Sequence, residues 1–298
     1  MFIIIKKKLP KRRSIQIKMA YLKADTTGYN LFIRYMLSRI RLNKNNLCIC
    51  TGPTGSGKSY SNLRLCQDAD DTFDIKKVSF GPEQFMAIIN SGELKGKGAA
   101  MVYDEAGVSF NARNWHSISN KMLNYFLQTC RSNNQILFFN APDISFLDAG
   151  ARKLFHIHLE TAGIDHTRKE VILKPLCLQV AQGSGKVYKK YLKVKVFKGY
   201  GGVKKVKRIR VPLPDKELLA AYEEKKKGFV NQLNQEIYES IKQGNKKPLT
   251  EQQQKWYDLF QLGLSTEEIA EKLGINTRSS FSLKRFIRNK GYFLGKSS

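Results

Sequence analysis

Gly52-Pro53-Thr54-Gly55-Ser56-Gly57-Lys58-Ser59 has a glycine on either side of four residues, followed by Lys-Ser. This pattern is typical of a phosphate-binding P-loop. Leu47-Cys48-Ile49-Cys50 before it indicates a short buried strand, and residues 62–67 after it indicate a helix. Glycines let backbone N–H groups converge on phosphate oxygens, and a helix N-terminus adds partial positive charge. The order of strand, loop and helix favours a nucleotide site over a chance glycine-rich turn.

The last two residues of the P-loop have separate expected roles. Lys58 can reach the β- and γ-phosphates, and the Ser59 hydroxyl can ligate Mg²⁺. We therefore predict that the P-loop binds ATP together with Mg²⁺. A similar run, Gly183-Ser184-Gly185-Lys186, has no glycine at position 180 and is followed by Val187, so we interpret it as a turn.

The composition indicates an acidic partner. The chain has 298 residues, a length that allows two domains, and its 52 Lys and Arg against 25 Asp and Glu give a formal charge of +27. Such an excess points to DNA, RNA or an acidic membrane surface, and composition does not choose among them. The 5 cysteines form no CxxC pair, which favours a reduced, cytoplasmic setting.

The beginning of the chain is apolar and then basic. Met1-Phe2-Ile3-Ile4-Ile5 is too short to cross a bilayer, and its charges follow the apolar run, which is the reverse of a signal peptide. We therefore predict no transmembrane segment and interpret residues 1–25 as a basic arm. Met19 is an alternative start of translation.

A second motif follows an apolar run. Ala99-Ala100-Met101-Val102-Tyr103 indicates a buried parallel strand, and Asp104 and Glu105 come directly after it. Ligands of open α/β sheets bind beyond such strand ends. Asp104 is expected to hold Mg²⁺ beside Ser59, directly or through water, and Glu105 to deprotonate the attacking water. The alternative is that the two acids cap the next helix.

Two further strands are predicted downstream. Residues 122–130 indicate a helix, and the apolar run 135–139 indicates a strand that ends at Asn140. A polar side chain there would lie between the P-loop and the acidic strand and could sense the γ-phosphate. Residues 153–159 indicate a fifth strand, in which we interpret His156 and His158 as ordinary strand residues because no further His or Cys offers metal-like spacing.

These motifs together resemble the HerA/FtsK superfamily of P-loop ATPases, which pump DNA and include viral packaging motors and Zot-like proteins. The resemblance rests on the P-loop, Tyr103-Asp104-Glu105-Ala106-Gly107, Leu127-Gln128-Thr129-Cys130-Arg131 and the strand ending at Asn140, in that order. It covers about residues 45–162, and the run after Asn140 looks most like archaeal viral or plasmid members. It implies an α/β, RecA-like fold with a parallel sheet.

The resemblance also implies residue roles. Glu105 falls on the catalytic base, and Asn140 on the polar sensor, where many members have glutamine. Arg131 falls on an arginine finger that acts across subunits, which implies a homo-oligomeric ring, with a hexamer among the options. The alternative for Arg131 is a helix-end charge that the helix dipole stabilises.

Residues 171–214 contain no acid and predict a basic β insertion in the ATPase domain. Residues 188–197 alternate, with Leu192, Val194 and Val196 on one face and Tyr191, Lys193 and Lys195 on the other. Residues 206–211 can return as a second basic strand. Such a ribbon can follow a phosphate backbone, and the alternative is a solvated hairpin.

The C-terminal part predicts a separate helical domain. Residues 215–243 have a helical pattern and end the ATPase domain at 26–243, residues 244–249 form a linker, and residues 250–298 form three helices that resemble a helix-turn-helix. In the third helix, Leu283, Phe286 and Ile287 are expected to face inward. The side chains expected to face DNA are those of Thr277, Arg278, Phe281, Lys284, Arg285 and Arg288. The alternative is a three-helix protein-interaction module.

Three functions remain open from the sequence. The first is ATP hydrolysis coupled to DNA translocation or packaging, and the second is an ATP-switched DNA-binding regulator or replication initiator. A small-molecule kinase fits poorly, because a basic ribbon and DNA-binding helices serve no purpose there.

Overall fold

The computed structural model describes residues 27–104, 125–147, 149–196, 202–242 and 249–292. These residues form two compact units, Met1–Lys226 and Lys227–Ser298. The division falls inside a long helix and precedes the predicted linker at 244–249. The domain limits at that linker stay a prediction.

The first unit begins with a helix that precedes the P-loop strand. Thr27 caps this helix by accepting a hydrogen bond from the Asn30 backbone, and the Leu, Ile, Met and Phe side chains of the helix are buried. The elements in order are α1 (Gly28–Arg41), β1 (Asn46–Thr51), α2 (Lys58–Ala69), β2 (Val78–Ser79), α3 (Pro82–Ser91) and β3 (Ala100–Tyr103). Pro82 occupies the first turn of α3, where its missing backbone N–H costs no helix hydrogen bond.

The middle of the first unit completes the parallel part of the sheet. Residues 125–129 are helical, and a 3-10 turn, Cys130–Asn133, leads into the next strand. The elements that follow are β4 (Ile136–Ala141), α4 (Ala149–Leu154) and β5 (Ile157–Asp165). The predicted strand at 153–159 is wrong over Lys153 and Leu154, which end α4. The chain turns at Phe155 and His156 before it enters the sheet.

Within the described residues, the strands form one mixed sheet in the order β2-β3-β4-β1-β5-β6-β7-β8. The strands from β2 to β5 along this order are parallel to one another. Strand β4 therefore lies between the P-loop strand β1 and the acidic strand β3. The sheet and its helices are compatible with the predicted RecA-like fold.

The basic region extends this sheet in antiparallel fashion, and its hairpin is part of the same sheet. Its strands are β6 (Glu170–Val180), β7 (Val187–Val196), β8 (Gly202–Val206) and β9 (Ile209–Pro212). The predicted single return strand at 206–211 is wrong. Val206 ends β8, which pairs with β7. Strand β9 pairs with the first half of β6, and β7 pairs with the second half.

The core of the first unit lies around the parallel strands. Its aromatic centre is Phe85 of α3, which packs against Tyr103 and Phe139 at ring-centroid distances of 5.2 and 5.8 Å. Cys48 and Cys50 in β1 are fully buried, as predicted, and burial raises the pKa of the Cys50 thiol to about 12. The P-loop is thus attached to a strand that is buried along its whole length.

A long helix, α5 (Lys216–Lys242), ends the first unit and continues beyond it. Lys225 attaches the first turns of α5 to the region of β2. Its ammonium group donates to the carbonyls of Ile75 and Val78 at 3.1 and 2.6 Å. Lys225 is half-buried, and burial lowers its pKa. None of the helices that the structure describes is both long and apolar enough to cross a membrane.

The second unit contains three short helices beyond α5, namely α6 (Glu251–Gln261), α7 (Thr266–Leu273) and α8 (Thr277–Asn289). Thr250 and Ser265 each form a capping box, at the starts of α6 and α7. Trp256, Ile269 and Ile287 form the buried centre. The Trp256 indole donates to Ser280 at 2.7 Å, and this contact fixes which face of α8 is inward.

One predicted inward residue of α8 is wrong. Phe286 is 57 % exposed, whereas Leu283 is partly buried and Ile287 is fully buried. The inward face is set by Ser280 and Ile287, which are two helical turns apart, and Phe286 lies off that face.

Two histidines of β5 and its approach are buried as neutral groups. The His156 Nδ1 accepts from the Leu47 backbone at 3.1 Å, and the His158 Nε2 lies 2.7 Å from the Thr51 hydroxyl. The pKa of each histidine is lowered to about 4, mainly by burial, and for His156 the nearby Arg39 and Lys44 contribute to this shift. Both side chains are therefore uncharged at neutral pH.

We expect acid to destabilise the first unit through these histidines. The unfolded chain takes up their protons near pH 6.5, whereas the folded protein does so only near pH 4, so unfolding binds protons in this window. The free energy of unfolding should fall by on the order of 2 kcal/mol per histidine as the pH drops from 6.5 to 4. His156→Asn keeps an acceptor for Leu47 and should weaken this dependence in urea unfolding at several pH values. An unchanged slope would contradict the prediction.

Candidate nucleotide-binding site

The P-loop connects the carboxyl end of β1 to the N-terminus of α2. Gly57 is the N-cap of α2 and has a φ of 84°. A Cβ atom there would lie 2.5 Å from the Val171 Cγ2 atom of β6, so glycine is required both by the backbone and by space. The Lys58 ammonium group donates to the carbonyls of Gly52 and Pro53 at 2.7 and 2.8 Å, inside the loop.

Asp104 follows β3 and faces the P-loop, as predicted. Its carboxylate is 1 % exposed, and the Ser59 hydroxyl donates to its two oxygens at 3.1 and 3.0 Å. The strand order alone brings them together, since the two residues are 45 positions apart in the chain. The two side chains predicted to hold Mg²⁺ are therefore in contact, and their role as metal ligands stays a prediction.

Asn140 completes the predicted group. Its amide donates to the Asp104 Oδ1 at 2.7 Å, and its Oδ1 accepts from the Asn62 amide at 2.6 Å. The bond to Asn62 fixes which end of the Asn140 side chain faces the carboxylate, because an amide has one donor end and one acceptor end. Asn62 lies on α2 and is fully buried. Its role was not predicted, because in the sequence it is one polar residue of an ordinary helix.

Helix α5 supplies two contacts to Asp104 that the sequence did not predict. The Tyr222 hydroxyl donates a short hydrogen bond to Asp104 Oδ2, and the Lys226 ammonium group lies 3.6 Å from the same oxygen. Burial and the adjacent Asp104 raise the pKa of Tyr222, so its phenol stays protonated and donates. In the sequence Tyr222 is an apolar helix-face residue, 118 positions from its partner, and no local signal separates it from a core tyrosine.

These residues surround a cavity of about 620 Å³. One part is lined by the P-loop from Thr54 to Ser59, with Asp104 and Asn140, and another part by the turn between β5 and β6. A cleft of this size is typical of sites for nucleotide-sized ligands. Lys58, Ser59 and the backbone of the P-loop all face it.

The residues present fit a magnesium ion. Mg²⁺ prefers oxygen ligands and commonly takes one or two from the protein and the others from water and phosphate. The Ser59 hydroxyl and the Asp104 carboxylate are oxygen donors about 3 Å apart at the cavity wall. The described residues hold no group of three or more His, Cys, Asp or Glu side chains suited to a metal. Ser59 and Asp104 would be the protein ligands of the magnesium ion, with phosphate and water oxygens in other positions.

The structure says less about two of the predicted catalytic residues, Glu105 and Arg131. Glu105 lies outside the described residues, so its role as the base stays a prediction. Arg131 belongs to the turn Cys130–Asn133 that precedes β4, which agrees with its expected position between a helix and that strand. Its role as an arginine finger is untested.

The candidate DNA-facing residues lie on α8, in the second unit. Thr277, Arg278, Arg285 and Arg288 are exposed, and Phe281 is 49 % exposed. Lys284 is half-buried, and its ammonium group packs 5.4 Å from the Phe260 ring centroid and donates to Thr266 at 3.3 Å. Helix α8 thus presents a basic exposed surface with Phe281 within it, and the predicted role of Lys284 in DNA binding stays a prediction.

A second basic surface lies on strands β7 and β8. Leu192 and Val194 are buried, whereas Tyr191, Lys193 and Lys195 are exposed, so the predicted alternation is correct for these residues. The Lys205 ammonium group of β8 lies 4.6 Å from the Tyr191 ring centroid. Lysine and tyrosine are therefore neighbours on the exposed face of the sheet.

No protein-family model matches the chain, and no curated protein sequence does. Among solved structures, it is similar to the crystal structure of the N-terminal domain of zonular occludens toxin from Neisseria meningitidis. The identity is 17 %, the alignment covers 50 % of this chain and 95 % of that one, and the TM-score is 0.34. A likeness this distant does not establish the fold or the chemistry of this chain. The fold is described by the strand order, and the site by the contacts around Asp104.

The contact between Gly57 and Val171 gives a testable prediction about the P-loop. Gly57→Ala should weaken ATP binding by at least about tenfold, because its positive φ is costly for alanine and its Cβ would overlap Val171. Gly183→Ala is the matched control, since a Cβ there meets open space. Titration with a fluorescent ATP analogue measures both. Equal affinity in the two variants would show that the loop does not need this backbone conformation.

Proposed function

We propose that this chain is an ATPase of the HerA/FtsK type that couples ATP hydrolysis to movement of DNA. The observation that supports this most is the set of contacts among Ser59, Asp104 and Asn140 beside the P-loop. A helix N-terminal loop, a buried strand-end carboxylate and a polar side chain between them are the parts that phosphoryl transfer requires.

The proposed chemistry assigns one task to each group. The P-loop backbone and Lys58 bind the triphosphate, and Ser59 and Asp104 hold the magnesium ion, which neutralises charge on the phosphate oxygens when it is bound. Glu105, next in sequence to Asp104, accepts a proton from the attacking water. Asn140 is kept in one orientation by Asn62 and contacts the γ-phosphate through its amide.

DNA contacts and assembly are further parts of the proposal. The exposed lysines and tyrosines of β7 and β8 are suited to a phosphate backbone, and α8 is suited to a DNA groove if α6–α8 act as a helix-turn-helix. Arg131 would complete the site of a neighbouring subunit in a homo-oligomeric ring. A cytoplasmic location agrees with five cysteines that are all free thiols in the structure.

The test is ATP turnover with DNA of increasing length. Wild-type protein should hydrolyse more ATP per binding event on longer DNA, because a motor takes more steps before it dissociates. Lys58→Ala should abolish tight ATP binding, and Glu105→Gln should bind ATP but lose turnover by about 10²–10⁴. Lys186→Ala is the matched control, since Lys186 follows a glycine-rich turn away from the P-loop.

Turnover that does not depend on DNA length would argue against movement along DNA. Near-normal turnover in Glu105→Gln would remove Glu105 from the role of base. Equal ATP affinity of the Lys58→Ala and Lys186→Ala proteins would contradict the assignment of the nucleotide site itself.

A second candidate function is an ATP-switched DNA-binding regulator or replication initiator. The exposed basic surface of α8 favours it, because site-specific binding by a helix is more useful to a regulator than to a motor. In that case ATP would control assembly, and turnover would be slow on DNA of any length.

The surface of α8 gives a separate prediction about DNA. Replacing Arg285 and Arg288 by alanine should weaken DNA binding by about tenfold or more and lower the salt dependence, since each lost phosphate contact reduces the salt slope by about one. Lys255→Ala is the control, because Lys255 is an exposed lysine of the same unit that pairs with Glu251. Fluorescence anisotropy across a salt series measures both effects. Unchanged affinity in the arginine variant would favour a protein-interaction module.

A further inference from the structure

We propose that Tyr222 and Lys226 of α5 compete with the magnesium ion for Asp104, so that metal–nucleotide binding has to displace these two side chains. The proposal rests on the proposed nucleotide site and assigns to it two residues outside the P-loop and the acidic strand. It makes the beginning of α5 a determinant of how much magnesium the protein needs.

The contacts at the Asp104 carboxylate are the first argument. Oδ1 accepts from Asn140, and Oδ2 accepts from Tyr222, while Ser59 lies within hydrogen-bonding distance of both oxygens. A carboxylate oxygen that holds a magnesium ion or its water needs its lone pairs directed at that ligand. On Oδ2, Tyr222 already uses such a position.

Charge is the second argument. The Lys226 ammonium group is a positive charge 3.6 Å from Oδ2, on a side chain that is 31 % exposed. Lys226 therefore balances the charge of a buried carboxylate, as a bound cation also would. A divalent cation at the same carboxylate would meet the ammonium group as a like charge, so the two compete for one partner.

The side chains of α5 are held in this arrangement from several sides. The Tyr222 ring packs against Phe80 and Tyr60 at centroid distances of 5.8 and 6.1 Å, and the Tyr60 hydroxyl donates to Glu223 at 2.8 Å. Lys225 donates to the carbonyls of Ile75, before β2, and of Val78, within β2. The contact with Asp104 is therefore built into the packing of α5 against the P-loop helix and the sheet.

The test is the magnesium dependence of nucleotide binding, measured by the anisotropy of a fluorescent ATP analogue in full-length protein. Tyr222→Phe removes the hydroxyl and keeps the ring, and Lys226→Gln removes the charge and keeps most of the stem. We expect the magnesium concentration at half-maximal binding to fall by about fivefold in Tyr222→Phe and by about tenfold in Lys226→Gln. Lys227→Gln, an exposed neighbour on the same helix, should leave it unchanged.

Titrations in EDTA separate competition for Asp104 from direct phosphate binding. Under the proposal, Lys226→Gln binds the analogue without magnesium as well as the wild-type protein does. Weaker binding in EDTA would assign Lys226 to the phosphates and overturn the proposal, as would an unchanged or raised magnesium midpoint in both variants. A wild-type protein that fails to bind the analogue at any magnesium concentration would instead overturn the proposed nucleotide site.

Discussion

The buried carboxylate of Asp104 is the group on which the site of this protein depends. A carboxylate that is 1 % exposed is costly to bury unless donors and positive charge compensate it. Ser59, Asn140, Tyr222 and Lys226 provide that compensation from α2, β4 and α5. These elements must all be packed together before the Asp104 carboxylate has its hydrogen-bond donors and its positive charge. The site therefore forms only when this part of the unit is folded.

Strand β5 and the antiparallel strand β6 support the P-loop on one side. Val171 of β6 lies against Gly57, and Thr161 of β5 lies so close to Gly52 that a Cβ there would be 1.8 Å from its hydroxyl. At Gly52 and Gly57, the glycines on either side of the motif's four residues, β5 and β6 leave no room for a side chain. Because β6 also pairs with β7 and β9, the exposed lysines and the P-loop belong to one continuous sheet.

Short sequence patterns predicted most of the helices and strands. The features that they did not predict depend on contacts between residues far apart in the chain. The P-loop, the acid after β3, the capping residues Thr250 and Ser265 and the exposed alternation of β7 depend on spacing within a few residues, which a sequence shows directly. Tyr222 depends on a partner 118 positions away and resembles an ordinary helix-face residue. Phe286 was placed inward because hydrophobicity alone cannot distinguish neighbouring faces of a short helix, whereas the contact between Trp256 and Ser280 does.

The region of family resemblance is therefore smaller than the region that builds the site. Residues 45–162 contain Ser59, Asp104 and Asn140 but neither the β6 residue that packs on Gly57 nor the first turns of α5. Without α5, Asp104 Oδ2 would lose the Tyr222 hydroxyl and the nearby Lys226 charge, although its own strand and the P-loop would be intact. Removing partners from a buried charge is strongly destabilising, more so than deleting the charge with them. The P-loop and Asp104 thus rely on the first turns of α5, which lie beyond the motif in the sequence and belong to the same compact unit.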